Sequence, residues 1–247
     1  THAGQAMRAA TLKGIAIHTA NEAGLNDGPD YEYGWGLLNA LGVAYLIAGD
    51  VSFTDRALEA SLADGGADTL TWWSAGVQPV VATICWTDPA GTPSAWALDP
   101  PDLKLVNDLD LRIERVSDGL AHQPWILDPA NPAAAATTGD NFRDNVEKVE
   151  LGAPTPGAYR LIVRHKGVLA GGTQDYSLIT SGLGGQPSTP IVSNVAFAQR
   201  REVEHVGAVV DRDKITERGA RNKNVGSIEA GDVGAEERRD RDRRLVG

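Results

Sequence analysis

At 247 residues with 42% hydrophobic side chains and six Trp, the chain is long enough for one large domain, or one medium domain with appendages, around a substantial core. No run approaches 18 consecutive apolar residues, so no membrane-spanning helix is expected, and 28 Gly with 13 Pro favour many turns over a helical bundle. The net charge of −10 is uneven: 12 of the 23 Lys/Arg and 11 of the 33 Asp/Glu lie from Arg200 onward, leaving 11 basic and 22 acidic residues before it, a balance that speaks against nucleic-acid and anionic-membrane partners.

Residues 1–49 read as two helical pieces. In "GQAMRAATLKGIAIHTA", Ala6, Ala9, Ala10, Ile15, Ile17 and Ala20 recur at helical spacing, with a bend possible at Gly14. The opening has no charged segment followed by an apolar one, so no signal peptide is visible. A loop from Asn21 to Glu32 carries the turn signal "NDGPD", and a short apolar helix is expected over Leu37–Ala48. The segment has apolar faces but no sheet of its own to bury them, so it is expected to be loosely ordered by itself.

From about residue 50 to 185 the pattern changes to short β-rich runs: "TLTWWSA", "PVVATICWTD", "DLDLRIERV", "NVEKVEL", "AYRLIVRHKG" and "DYSLITSG". In the fifth, Tyr159, Leu161 and Val163 fall on one face and Arg160, Ile162 and Arg164 on the other. Turn signals at regular intervals make this a mainly β, jelly-roll-like β-sandwich domain. Cys85, the single cysteine, lies in the most apolar run and reads as a small buried hydrophobe. Beyond "GGQPSTP", residues 186–247 form a linker and a charged tail too poor in apolar surface to offset the entropy of ordering; disorder is expected there.

Two acid-rich stretches stand out. "NDLDLRI" places Asp108 and Asp110 on one face of a strand, with Leu109, Leu111 and Ile113 on the other. Same-face acids repel unless something cationic or donor-rich sits between them. "GDNFRDNVE" adds Asp140, Asn141, Asp144, Asn145 and Glu147, and hard oxygen donors at this density suit Ca²⁺. The alternative is that these Asx residues build turns and that Asp144 and Asn145 hold the strand entry at Val146. The candidate metal set is Asp108, Asp110, Asp140, Asp144 and Glu147. Trp72, Trp73, Trp86, Trp96 and Trp125 could make a sugar-binding platform, though core packing is the favoured role. "GWGLLNA" has no preceding strand and no third Gly, so it is not a dinucleotide loop.

"LKGIAIHTANEAGLNDGPDYEYGWGLLNA" resembles the end of the catalytic domain of subtilisin-like serine peptidases. "LVNDLDLRI", "QPWILDPANPAAAA", "GDNFRDNVEKVEL" and "PGAYRLIVRHKGVLAGGTQDYSLITSG" are similar to the β-sandwich that follows that domain in one exported branch of the family, and the similarity runs from residue 10 to 182. It implies a C-terminal fragment of a secreted serine endopeptidase, with residues 1–49 a remnant of an α/β catalytic domain and 50–185 an accessory module. It also strengthens the case for calcium, and implies protein or peptide substrates for the parent enzyme. The family's "GTS", "HGT" and Asp-Ser/Thr-Gly motifs are absent from this chain, so the triad would belong to a missing N-terminal domain and the chain alone would be inactive. No triad is expected from the five histidines present. The competing reading is a stand-alone jelly-roll module binding calcium, a glycan or a protein.

Overall fold

The computed structural model describes residues 6–48, 56–98, 100–184 and 191–192. Two helices come first, α1 (Ala9–His18) and α2 (Ala40–Ala48). The strands follow: β1 (Arg56–Ala63), β2 (Ala67–Ser74), β3 (Val80–Trp86), β4 (Asp108–Arg115), β5 (Ala121–His122), β6 (Trp125–Ile126), β7 (Thr137–Thr138), β8 (Val146–Leu151), β9 (Gly157–Lys166), β10 (Thr173–Ser181) and β11 (Ile191–Val192). The expected tail lies outside the described residues, apart from the two residues of β11.

The pairing is nested. β1 pairs β10, β2 pairs β9, β3 pairs β8 and β4 pairs β5, all antiparallel. A long antiparallel hairpin of this kind, rolled over on itself, gives two sheets of order β1-β10-β3-β8 and β11-β2-β9-β4-β5. That is the jelly roll, and the fold is mainly β as the strand periodicity implied. Side chains of period two from both sheets fill the space between them: Leu109, Leu111 and Ile113 from β4, Tyr159, Leu161 and Val163 from β9, Ile84 and Trp86 from β3, all essentially without solvent contact.

β3 is buried at every position. Its even-numbered residues face the core, while Thr83 and Cys85 face outward under α1, which packs on β3 and β10. For α1 this corrects the expectation of loose order, because the sandwich supplies the sheet that residues 1–49 lack. Ile15 is fully buried, and Ala10 packs with Cys85 and Val146. Gly14 does not bend the helix; it lets α1 approach the sheet, because a Cβ there would stand 2.5 Å from Ile179 Cδ1 and 3.3 Å from Cys85 Cβ. Glu59 of β1 accepts the Arg8 amide at 2.9 Å, placing a carboxylate at the positive end of the helix, and it also receives the Thr11 hydroxyl. Arg8 itself reaches Ala60 O, Tyr176 O and Asp175. α1 and the sandwich therefore belong to a single compact unit.

α2 behaves otherwise. It starts at Ala40 rather than Leu37, since Asn39 Oδ1 caps the Gly42 amide at 2.8 Å and Leu37 is held in a backbone bridge to Asn21. None of its residues is buried, and Leu37, Leu38, Leu41 and Tyr45 leave an apolar surface exposed. Between the helices, Gly36 (φ 99°) closes the loop so tightly that a Cβ would lie 2.2 Å from Asn21 O. Gly36→Ala is expected to cost about 2–3 kcal/mol, from the unfavourable φ and a clash with backbone that cannot move aside. Thermal unfolding gives the loss, and faster amide exchange at Leu37 locates it; an unchanged melting temperature would contradict the geometry.

Candidate functional site

Asp108 and Asp110 sit on the outer face of β4, beside the last residues of β9, where Asp108 is opposite Lys166 and Asp110 opposite Arg164. The repulsion inherent in two same-face acids is met by a lysine. Lys166 Nζ lies 3.1 Å from Asp108 Oδ2, 3.1 Å from Asp110 Oδ1 and 2.5 Å from Asp140 Oδ1. Arg112, next along the same face, bonds Asp110 Oδ1 at 3.1 Å and Asp140 Oδ1 at 3.4 Å. From the other sheet, Glu147 of β8 enters the interior, accepts the Leu111 amide at 2.5 Å and lies 3.8 Å from Arg112. Four of the five expected ligands thus converge. Asp144 does not: it accepts a hydrogen bond from Asn141 Nδ2 at 3.2 Å in a turn, while Asn145 Nδ2 holds Trp86 O at 2.7 Å and so fixes the strand entry at Val146.

The charges follow from burial. Glu147 is completely buried and its Oε1 has no hydrogen-bond partner among the described residues; desolvation pushes its pKa well above the usual carboxylate range. Desolvation also raises Asp110 and Asp108, against the pull of Lys166. The exposed Asp140 goes the other way, lowered by its hydrogen bond from Lys166. Burial disfavours the Lys166 ammonium, but its bonds to Asp140, Asp108 and Asp110 outweigh this and raise its pKa. The cluster is a compensated electrostatic clamp tying β4, β9, the 140s turn and β8 together.

Calcium needs six to eight oxygens at 2.3–2.6 Å. Here the place between the carboxylates is taken by the Lys166 ammonium, and the oxygens as arranged do not fit the ion while the lysine stays. Among the described residues no group of three or more His, Cys, Asp or Glu is disposed to hold a metal. Sequence reasoning asked for a cation between the acids without finding which. The signal was present: Lys166 and Arg164 occupy outward positions on the adjoining strand.

Among the described residues no nucleophile–base relay forms. His18 Nε2 is 3.1 Å from Ser181 Oγ, but its Nδ1 faces Thr83 Oγ1 at 3.0 Å, not a carboxylate. Desolvation, with Lys148 nearby, lowers the His18 pKa to about 3, too weak a base to activate a hydroxyl. His165 Nε2 accepts the Gly65 amide, His122 is held low by burial, and His2 and His205 lie outside the described residues. The five tryptophans do not make one platform either. Trp72 and Trp86 are core residues, and Trp73 and Trp96 are exposed.

Trp125 instead helps line a cleft of about 240 Å³ between the helical preface and the sandwich. Lys13 and Ile17 of α1 form one side, Asp30 and Trp35 of the interhelical loop another, and Trp125, Asp144 and Asn145 the third. Lys13 Nζ donates to Asn145 Oδ1 at 2.6 Å across it, and a Cβ at Gly28 would stand 2.9 Å from the Trp125 ring, so loop and indole are in close contact.

No protein-family model matches the chain, and no curated protein matches it.

Proposed function

We propose that this chain is the C-terminal part of a subtilisin-like serine endopeptidase of the secreted branch, serving as a stabilising module and leaving peptide-bond hydrolysis to a catalytic domain bearing Asp, His and Ser. The motif resemblance over residues 10–182 is one support. The observation that carries the reading is α2: a nine-residue apolar helix with no buried residue, whose exposed Leu41 and Tyr45 extend the apolar surface of Leu37 and Leu38 just before it. Such a face suits an element packed against a further layer of protein, here the catalytic domain. Among the described residues no helix is long and apolar enough to cross a membrane. Calcium belongs to this reading as a ligand of the carboxylate clamp, entering only where Lys166 gives way.

The test is fluorophosphonate-biotin capture from the native source. Peptides of this chain, such as 149–160, are expected in a captured polypeptide with its labelled serine outside residues 1–247, while the isolated chain stays unlabelled. Stoichiometric labelling of the isolated chain, or these peptides only in uncaptured protein, would sink the reading.

A second reading, a self-sufficient binding module, is favoured by the seat of α1. Its contacts with β1, β3 and β10 make the preface part of the sandwich, so the described body does not need an outside domain to hold that helix.

A further inference from the structure

We propose that the cleft between α1, the interhelical loop and the 125–146 edge of the sandwich binds a neutral pyranose sugar. The site is independent of the carboxylate clamp and of any hydrolytic activity.

Charge narrows the ligand first. The cleft carries one ammonium, Lys13, and two carboxylates, Asp30 and Asp144. A small cation placed there meets Lys13, and a small anion meets two like charges. A neutral ligand whose groups both donate and accept can use all three, and hydroxyls do this: they donate to carboxylates and accept from an ammonium. Asn145 adds an amide, already positioned by its bonds to Lys13 Nζ and Trp86 O.

The walls narrow it further. Trp35 and Trp125 both line the cleft, with Ile17 and Val146 beside them. A pyranose ring is amphipathic, with faces of C–H groups and a rim of hydroxyls, and it matches indole surface flanked by carboxylate and amide. The Trp125 Nε1–H is shielded from solvent and has no acceptor among the described residues. About 240 Å³ is small for a drug-sized molecule but suits a single sugar ring. The walls are also preset, since α1 is fixed on the sheet, Asp30 Oδ1 holds the Glu32 and Tyr33 amides, and Trp125 rests against Gly28.

The experiment is saturation-transfer NMR on the full chain with glucose, galactose, mannose and N-acetylglucosamine as separate probes, and with acetate and methylammonium as charged controls. Transfer to the ring C–H protons of at least one sugar is expected. Trp125→Ala should weaken that binding about tenfold, the scale of losing an aromatic anchor. Asp144→Asn, at an exposed position where folding is not at stake, should weaken it severalfold, and Trp73→Ala, on the open face of β2, should leave it unchanged. The proposal is overturned if no sugar shows transfer, if only a charged control binds, or if binding survives Asp144→Asn intact or is lost in Trp73→Ala.

Discussion

Acidification from pH 6.5 toward 3 is expected to unseat α1 from the sandwich, with His18 as the group that drives it. The imidazole is sealed between α1 and the sheet, bonded to Thr83 on β3 and Ser181 on β10. The groups meeting it are hydroxyls that cannot neutralise a proton, and the nearby charge that bears on it, Lys148 of β8, has the same sign as the imidazolium. The folded-state pKa is thus lowered from 6.5 to about 3. Between those values the unfolded chain takes up a proton the folded one refuses, so stability is lost as pH falls through this window. The penalty is roughly 2 kcal/mol at pH 5 and about 4 kcal/mol at pH 3, a large share of the whole stability of a domain.

Several carboxyls act in the opposite sense, Asp108 and Asp110 of the clamp among them. Desolvation raises Glu147 and also Asp68, which accepts the Tyr176 hydroxyl at 2.7 Å inside the sandwich. Groups with raised folded-state pKa values stabilise the fold on the acid side and lose that contribution as pH climbs through them. The total stability profile therefore mixes both signs, and a comparison isolates His18. The unfolding free energy of the wild type should fall more steeply between pH 6.5 and 4 than that of His18→Gln, and exchange at Ile15 to Thr19 should quicken in the same range. Parallel profiles for the two proteins would mean that His18 does not gate the helix.

The jelly roll was legible because its strands bury one face and expose the other, and strict alternation over Tyr159–Arg164 states as much. β1 escaped notice for the opposite reason. "RALEASLA" is composed of good helix formers, and its inward positions carry small Ala60 between Leu58 and Leu62, so its period is faint. Its sequence gives no hint that Glu59 is there to cap a helix fifty residues away. The seat of α1 was hidden too, because its interface is partly polar: Thr11 meets Ser177 and His18 meets Thr83 and Ser181, pairs invisible to a search for apolar faces. The acid pair was readable on β4, but the strand that supplies its counter-charge depends on topology, which sequence spacing does not disclose. Trp35 and Trp125 are ninety positions apart and meet one cleft only because α1 brings the preface onto the sandwich.

Lys166→Met should be the most damaging single change at the clamp. Met keeps much of the stem while removing the ammonium that bonds Asp108, Asp110 and Asp140. Stripping a cation from a buried pair costs about 3–5 kcal/mol. The lower end applies, about 3 kcal/mol, since the lysine is partly exposed and Asp140 more so. Arg112 remains but already divides its contacts among Asp110, Asp140 and Glu147. The deficit relative to wild type should shrink as pH falls through the carboxylate range, because the uncompensated acids then take protons; Asp108 and Asp110, already raised by burial, go first. Calcium gives a second, independent readout. With the ammonium gone, its place is open to an ion, and Ca²⁺ at a hundredfold excess over its dissociation constant would restore about 2.7 kcal/mol. Melting temperature should then rise with Ca²⁺ in Lys166→Met and stay flat in the wild type. Equal rises in both would place the ion elsewhere or show that the native lysine yields to it. A flat response in both would mean that these carboxylates, held by strand register for N–H donors, do not gather closely enough for a metal.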